Sequence, residues 1–148
     1  MVYWFYLQLL GVPRLWLKHE GENPTGSFKD RGSAVLISML REMGIVRVAE
    51  DSSGNAGASV AAYAARAGIK AHVFAPASAP AAKLKQIAAY GAELHLIEGA
   101  RETATVAARA FHEERRLVYA SHALSPYFLE GTKTFAYEVW QQLDGDIP

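Results

Sequence analysis

The sequence predicts an α/β fold: a three-layer domain with a parallel sheet of about four strands and helices on both faces. Two observations predict it. From Gly44 onward, short β-like runs alternate with helix-like runs, and the connections between them are short. Strands joined in that way must cross over through the helices, which gives parallel pairing with helices on both faces. No linker, low-complexity tract or repeat divides the chain, so residues 1–148 read as one domain. Within it, about 1–44 form an amino-terminal segment and about 45–148 the alternating α/β unit.

The first helix is expected from about Phe28 to Met43, with Val35, Leu36, Met39, Leu40 and Met43 on its core face. Ile45 to Ala49 reads as the first strand. A helix follows from Ala56 to Ala67, and Gly68 is its expected stop. Ala71 to Ala75 is the second strand. Pro76 and Pro80 bracket a loop before a helix running through Tyr90 to Gly91. Glu93 to Ile97 alternates as a third strand, and Arg101 to about Arg115 forms the next helix. Leu117 to Ala120 is the fourth strand, and one final helix is expected from Pro126 to about Leu143.

Composition excludes several functions. Hydrophobic residues make up 51% of the 148, enough for a real core. Fifteen basic and fifteen acidic residues cancel, so no overall field favours nucleic acid or an anionic membrane. Cysteine is absent, which removes disulfides, thiolate nucleophiles and cysteine-ligated zinc, and fits a cytoplasmic location. The apolar start, Met1 to Leu10, lacks a basic region and a cleavage site, and it falls short of the roughly 20 residues of a membrane span.

Two short runs carry the chemistry. Asn23-Pro24-Thr25-Gly26-Ser27-Phe28-Lys29-Asp30-Arg31-Gly32 places Lys29 in a turn at the start of a helix. An isolated lysine there would be a solvated surface group, and the helix dipole disfavours a cation in that place. Ser52-Ser53-Gly54-Asn55-Ala56-Gly57 forms a strand-to-helix turn whose free backbone N–H groups can bind an anion. Taken alone, that turn is also an ordinary helix cap. His72 and His95 fall in strand-like runs and read as sheet residues. His112 lacks the second histidine of a zinc-protease helix, so no metal site is assigned. His19 and His122 flank the lysine region. Trp4, Trp16 and Trp140 read as packing groups, because no basic stripe accompanies them.

Together the two runs resemble the lysine segment and asparagine loop of the fold-type II pyridoxal-phosphate enzymes, and within them the threonine synthase branch. Leu15-Trp16-Leu17-Lys18, Tyr90-Gly91-Ala92 and Leu129-Glu130-Gly131-Thr132-Lys133-Thr134 extend the resemblance over about Gly11 to Pro148. It implies pyridoxal 5'-phosphate as cofactor and Lys29 as the Schiff-base lysine. It also implies that Asn55 meets the ring oxygen of the cofactor, while Ser52, Ser53, Gly54, Asn55 and the loop amides hold the substrate carboxylate. Phe28 either lies against the pyridine ring or packs in the core. The implied chemistry is replacement or elimination at the β or γ carbon of a small amino-acid substrate.

The sequence also departs from that branch. The Gly-x-Thr-Pro-Leu opening is replaced by Met1 to Gln8, and the glycine-rich phosphate loop is expected only beyond Pro148. Ala123 and Phe128 stand where a hydroxyl and a guanidinium are usual, and Ala56 where threonine is. Weak cofactor binding by these 148 residues alone is therefore expected. So is completion by a homodimer or by a carboxy-terminal partner chain. The other reading is a non-catalytic remnant that folds and self-associates.

Overall fold

The structure, a computed structural model, describes Gly11 and residues 16–146. The apolar start, including Tyr3 to Leu7, lies outside them. A 3-10 turn at Glu20–Glu22 leads to helix α1, Lys29–Glu42. Then follow β1 (Arg47–Glu50), α2 (Asn55–Ala67), β2 (Lys70–Pro76), α3 (Ala81–Ala89), β3 (Glu93–Ile97), α4 (Arg101–Arg115) and β4 (Val118–Tyr119). Two short helices, α5 (Pro126–Thr132) and α6 (Thr134–Gln142), close the chain.

All four strands pair in parallel, in the order β3-β2-β1-β4. β1 and β2 are buried along nearly their whole length, as parallel strands covered on both faces must be. Alternate side chains feed two cores. Val48, Ala71 and Val73 pack with Leu36, Val60, Ala61 and Ile87 from α1, α2 and α3. Ala49 and Phe74 face Ala108 and Phe111 of α4 on the other side. The three layers expected from the sequence are present. Among the described residues, no helix is long and apolar enough to cross a membrane.

Local chemistry explains the boundaries. Gly68 takes a left-handed φ of 72°, and the N–H of Ile69 donates to Ala64 O at 2.8 Å, which ends α2 where expected. The first strand begins two residues later than expected, because the N–H of Ile45 is spent on Leu40 O in closing α1, at 2.9 Å.

Two expectations need correction. The core face of α1 is Gly32, Ser33, Leu36, Ile37 and Leu40, while Met43 is exposed and Val35 and Met39 are only half-buried. The helix is wedged between α2 and α5, so its buried stripe is rotated from the one the spacing suggested. The single closing helix is two, broken at Lys133. There the Thr132 hydroxyl donates to Leu129 O (3.0 Å) and the Thr134 hydroxyl to Gly131 O (2.8 Å). Such back-bonding competes with the helical ladder and bends it.

Candidate active site

Strand order reverses between β1 and β4, so the crevice at their carboxyl ends is where an open α/β sheet binds ligands. The chain leaving β1 there is Asp51 to Gly54, and the chain leaving β4 is Ala120 to His122. A cleft of about 340 Å³ opens beside Lys29, lined among others by Phe28, His122, Ala123, Phe128 and Leu129. The ammonium of Lys29 lies 4.7 Å from the centre of the Phe28 ring and 5.6 Å from that of Phe128. Phe28 is 46% exposed, so it forms the cleft wall and is not a core residue.

The residues flanking Lys29 explain why it is held there. Asp30 is 2% exposed and accepts three hydrogen bonds. The Thr25 N–H donates at 2.7 Å, the Thr25 hydroxyl at 2.5 Å and the Ser59 hydroxyl of α2 at 2.6 Å. Arg31 reaches the opposite way. It bonds both oxygens of Glu20 (2.7 and 2.8 Å) and both of Glu138 on α6 (2.6 and 2.7 Å). Bidentate pairs of this kind fix position as well as charge. Hydrogen bonds from Arg31 and then Lys18 hold the Glu138 carboxyl down at about 2. Lys29 thus stands on a helix start pinned to α2 by one neighbour and to α6 by the other.

Close approach of α1 and α5 completes the platform. A Cβ on Gly131 would lie 2.0 Å from Arg31 O, and one on Gly32 would lie 2.5 Å from the Phe128 ring. Only glycine at both positions lets Phe128 lie beside Lys29.

The turn Ser52 to Asn55 does not line the Lys29 cleft; it occupies the neighbouring end of β1. The two regions are joined through the bond from Ser59 to Asp30. Ser52 is buried, and its hydroxyl accepts from the Gly54 N–H at 3.3 Å. Among the described residues no side chain caps α2, so its first N–H groups stay available to an anion. Ser53 and Gly54 are half-buried and Asn55 is exposed at the helix start.

Sequence reasoning missed the carboxylate behind the cleft. Glu50, at the end of β1, is fully buried, and its Oε1 lies 2.8 Å from His122 Nδ1. Its Oε2 has no hydrogen-bond partner among the described residues. Burial pushes the Glu50 carboxyl up from its ordinary range, and the bond to His122 opposes this. The only available signal was an acidic pair, Glu50-Asp51, closing an apolar strand just before the Ser-Ser-Gly-Asn turn. His122 lines the cleft, whereas His19 is exposed and bonds Glu22 of its own turn. Ala123 and Phe128 also line it, so its wall is apolar at the two positions where the threonine synthase branch usually carries a hydroxyl and a guanidinium.

Residues 3–148 match the profile of a family described as pyridoxal-phosphate dependent enzyme. Threonine synthase from Methanocaldococcus jannaschii is 41% identical over 140 residues, covering 94% of this chain and 34% of the relative. The threonine synthase from Bacillus sp. (strain ULM1) is 44% identical over 135 residues, 90% of this chain and 38% of its own length. Among solved structures, the T.th. threonine deaminase superposes with a TM-score of 0.83 at 33% identity, over 95% of this chain and 44% of that one. The chain therefore spans little more than a third of the curated relatives it matches.

Proposed function

Because the chain belongs to the pyridoxal-phosphate-dependent enzyme family, we propose that it supplies the lysine-bearing part of a threonine synthase-like site acting on an amino acid. One observation carries this reading: Lys29 stands between two aromatic rings at the mouth of a cleft at the reversal point of the sheet. The donor set fits pyridoxal phosphate, with an amine for its carbonyl, an aromatic wall at Phe28 and uncapped amides at the start of α2. When bound, that group supplies an electron sink for charge developing on the substrate.

The residues of the chain then have separate roles. Lys29 would hold the cofactor through its amine, and that amine would move protons at the Cα and Cβ of the substrate. Phe28 would lie against one face of the cofactor ring, and Asn55, at the neighbouring end of β1, would reach its ring oxygen. Ser52, Ser53, Gly54 and the amides beside them hold the substrate carboxylate against the helix start. His122, backed by Glu50, lines the same cleft and can hold a proton at its side-chain end. The chemistry is replacement or elimination at the β or γ carbon, carried out in the cytoplasm.

Titration with pyridoxal phosphate tests this. A visible absorption band is expected that saturates only at a large excess of cofactor and is missing in Lys29→Ala. Weak saturation is expected because the resemblance to the threonine synthase branch implies that the phosphate contacts, each a charge-assisted hydrogen bond worth roughly 1.5–3 kcal/mol, come from a glycine-rich loop outside these 148 residues. Borohydride trapping followed by peptide mapping should place the modification on Lys29. Trapping at other lysines with Lys29 unmodified would sink the assignment. Lys29-independent binding would favour the non-catalytic reading.

The partner of this part is a second copy or a carboxy-terminal chain. Trp16, Leu17, Tyr137 and Trp140 are all exposed, and Lys18 bonds Glu138 and Gln142, which brings their two segments together. Patches of that kind find partners. Light scattering at micromolar concentration is expected to show a dimer that Trp140→Glu weakens; a stable monomer would reject self-association.

A further inference from the structure

At the opposite, amino-terminal end of the sheet, β2 and β3 pair so that His72 stands beside Glu93 and Phe74 beside His95. Residues two apart on a strand share a face, so His72, Glu93 and His95 all point to the side covered by α4. Their polar atoms converge. His72 Nδ1 lies 3.2 Å from His95 Nε2, and Glu93 Oε1 lies 3.7 Å from the first and 3.6 Å from the second.

We propose that His72, Glu93 and His95 form a binding site for a divalent transition-metal ion of the zinc class. Metal–ligand bonds of about 2.0–2.2 Å in tetrahedral geometry separate neighbouring ligand atoms by roughly 3.4 Å. The three observed separations bracket that edge. A hydrogen-bond reading covers only the contact between the two imidazoles. The carboxylate oxygen lies beyond hydrogen-bond range of both rings, yet at the distance that two ligands of one ion keep.

Neighbouring groups hold the three in place. Glu93 uses its other oxygen, Oε2, to accept from Lys70 at 2.6 Å, which turns Oε1 toward the histidines. The His95 ring stacks on Phe74 at 4.3 Å, and His72 packs against Phe111 of α4 at 4.9 Å. A cavity of about 270 Å³, lined by His72, Glu93, Phe111 and the cationic Arg47, Lys70 and Arg115, leaves room for a fourth ligand. Those cations weaken the binding of a metal ion and favour a fourth ligand that is anionic. Two imidazoles with a carboxylate select zinc, nickel or copper over magnesium and calcium. This cavity and the Lys29 cleft share no lining residue, so the site is independent of the proposed catalytic one.

The test is equilibrium dialysis of the untagged, cofactor-free chain against zinc chloride, with cobalt(II) absorption as a second readout. One zinc per chain is expected, with a cobalt spectrum of tetrahedral intensity and no binding of magnesium. Glu93→Gln and His95→Gln, both at partly exposed positions of the edge strand, should each lower zinc affinity on the order of 100-fold. His19→Gln and His112→Gln should leave it unchanged. If His95→Gln fails to fold by circular dichroism, Glu93→Gln decides alone. Absence of stoichiometric zinc, or wild-type affinity in Glu93→Gln, overturns the proposal.

Discussion

Gly57→Ala is expected to lower stability by about 3 kcal/mol, at the upper end of what overpacking costs. A Cβ there would lie 1.9 Å from the carbonyl oxygen of Ser52 and 3.3 Å from Cδ1 of Ile87, a fully buried side chain. The first clash is with backbone, so no rotamer change relieves it; either α2 or the Ser52 turn must shift. In a domain of this size about 3 kcal/mol corresponds to a fall in melting temperature of roughly 6–12 °C. The same shift would pull the turn away from the uncapped helix start and weaken anion binding there. Ser53→Ala changes the same turn without a steric clash and should stay within about 0.5 kcal/mol of wild type. Thermal unfolding followed by circular dichroism checks the pair. A melting temperature unchanged in Gly57→Ala would show that the turn is looser than its contacts imply.

Asp30→Ala should cost about 3–5 kcal/mol. The deleted carboxylate leaves the Thr25 N–H, the Thr25 hydroxyl and the Ser59 hydroxyl facing one another in a buried space. Ser59 is fully buried and cannot turn to water. Asp30→Asn should cost less, because its amide oxygen still accepts, although its NH2 group then meets a donor. Because Asp30 adjoins Lys29 and ties it to α2, both variants should also weaken the Lys29-dependent cofactor band, alanine more than asparagine. Urea unfolding gives the ranking. A cost for Asp30→Ala below about 1 kcal/mol would mean that the platform under Lys29 does not depend on this carboxylate.

Much of the fold was legible because its signals are local. Gly68 ended α2 because a left-handed residue is needed at that position, and glycine adopts it freely. The alternation of strand and helix from Gly44 onward announced a parallel sheet for the same kind of reason. The Lys29 run and the Ser52 turn were recognisable as strings of consecutive residues. The break at Lys133 was less visible. It depends on how two threonine hydroxyls turn, and the Thr134 hydroxyl also accepts from Arg31 at 3.0 Å across the fold.

By itself, then, the sequence determined the order and type of the elements up to the closing helix, the layers, the family and the candidate lysine. These follow from turn chemistry, periodicity and strings within one segment. Only the tertiary structure decided that Glu50 lies behind His122, that Asp30 and Arg31 hold Lys29 from opposite sides, and that His72, Glu93 and His95 meet. Each depends on parallel register or on how closely two helices approach. A shift of one residue between β2 and β3 would have turned Glu93 and His95 to the other face of the sheet. Register and helix approach are settled by packing between segments far apart in the chain, and no neighbouring residue records them.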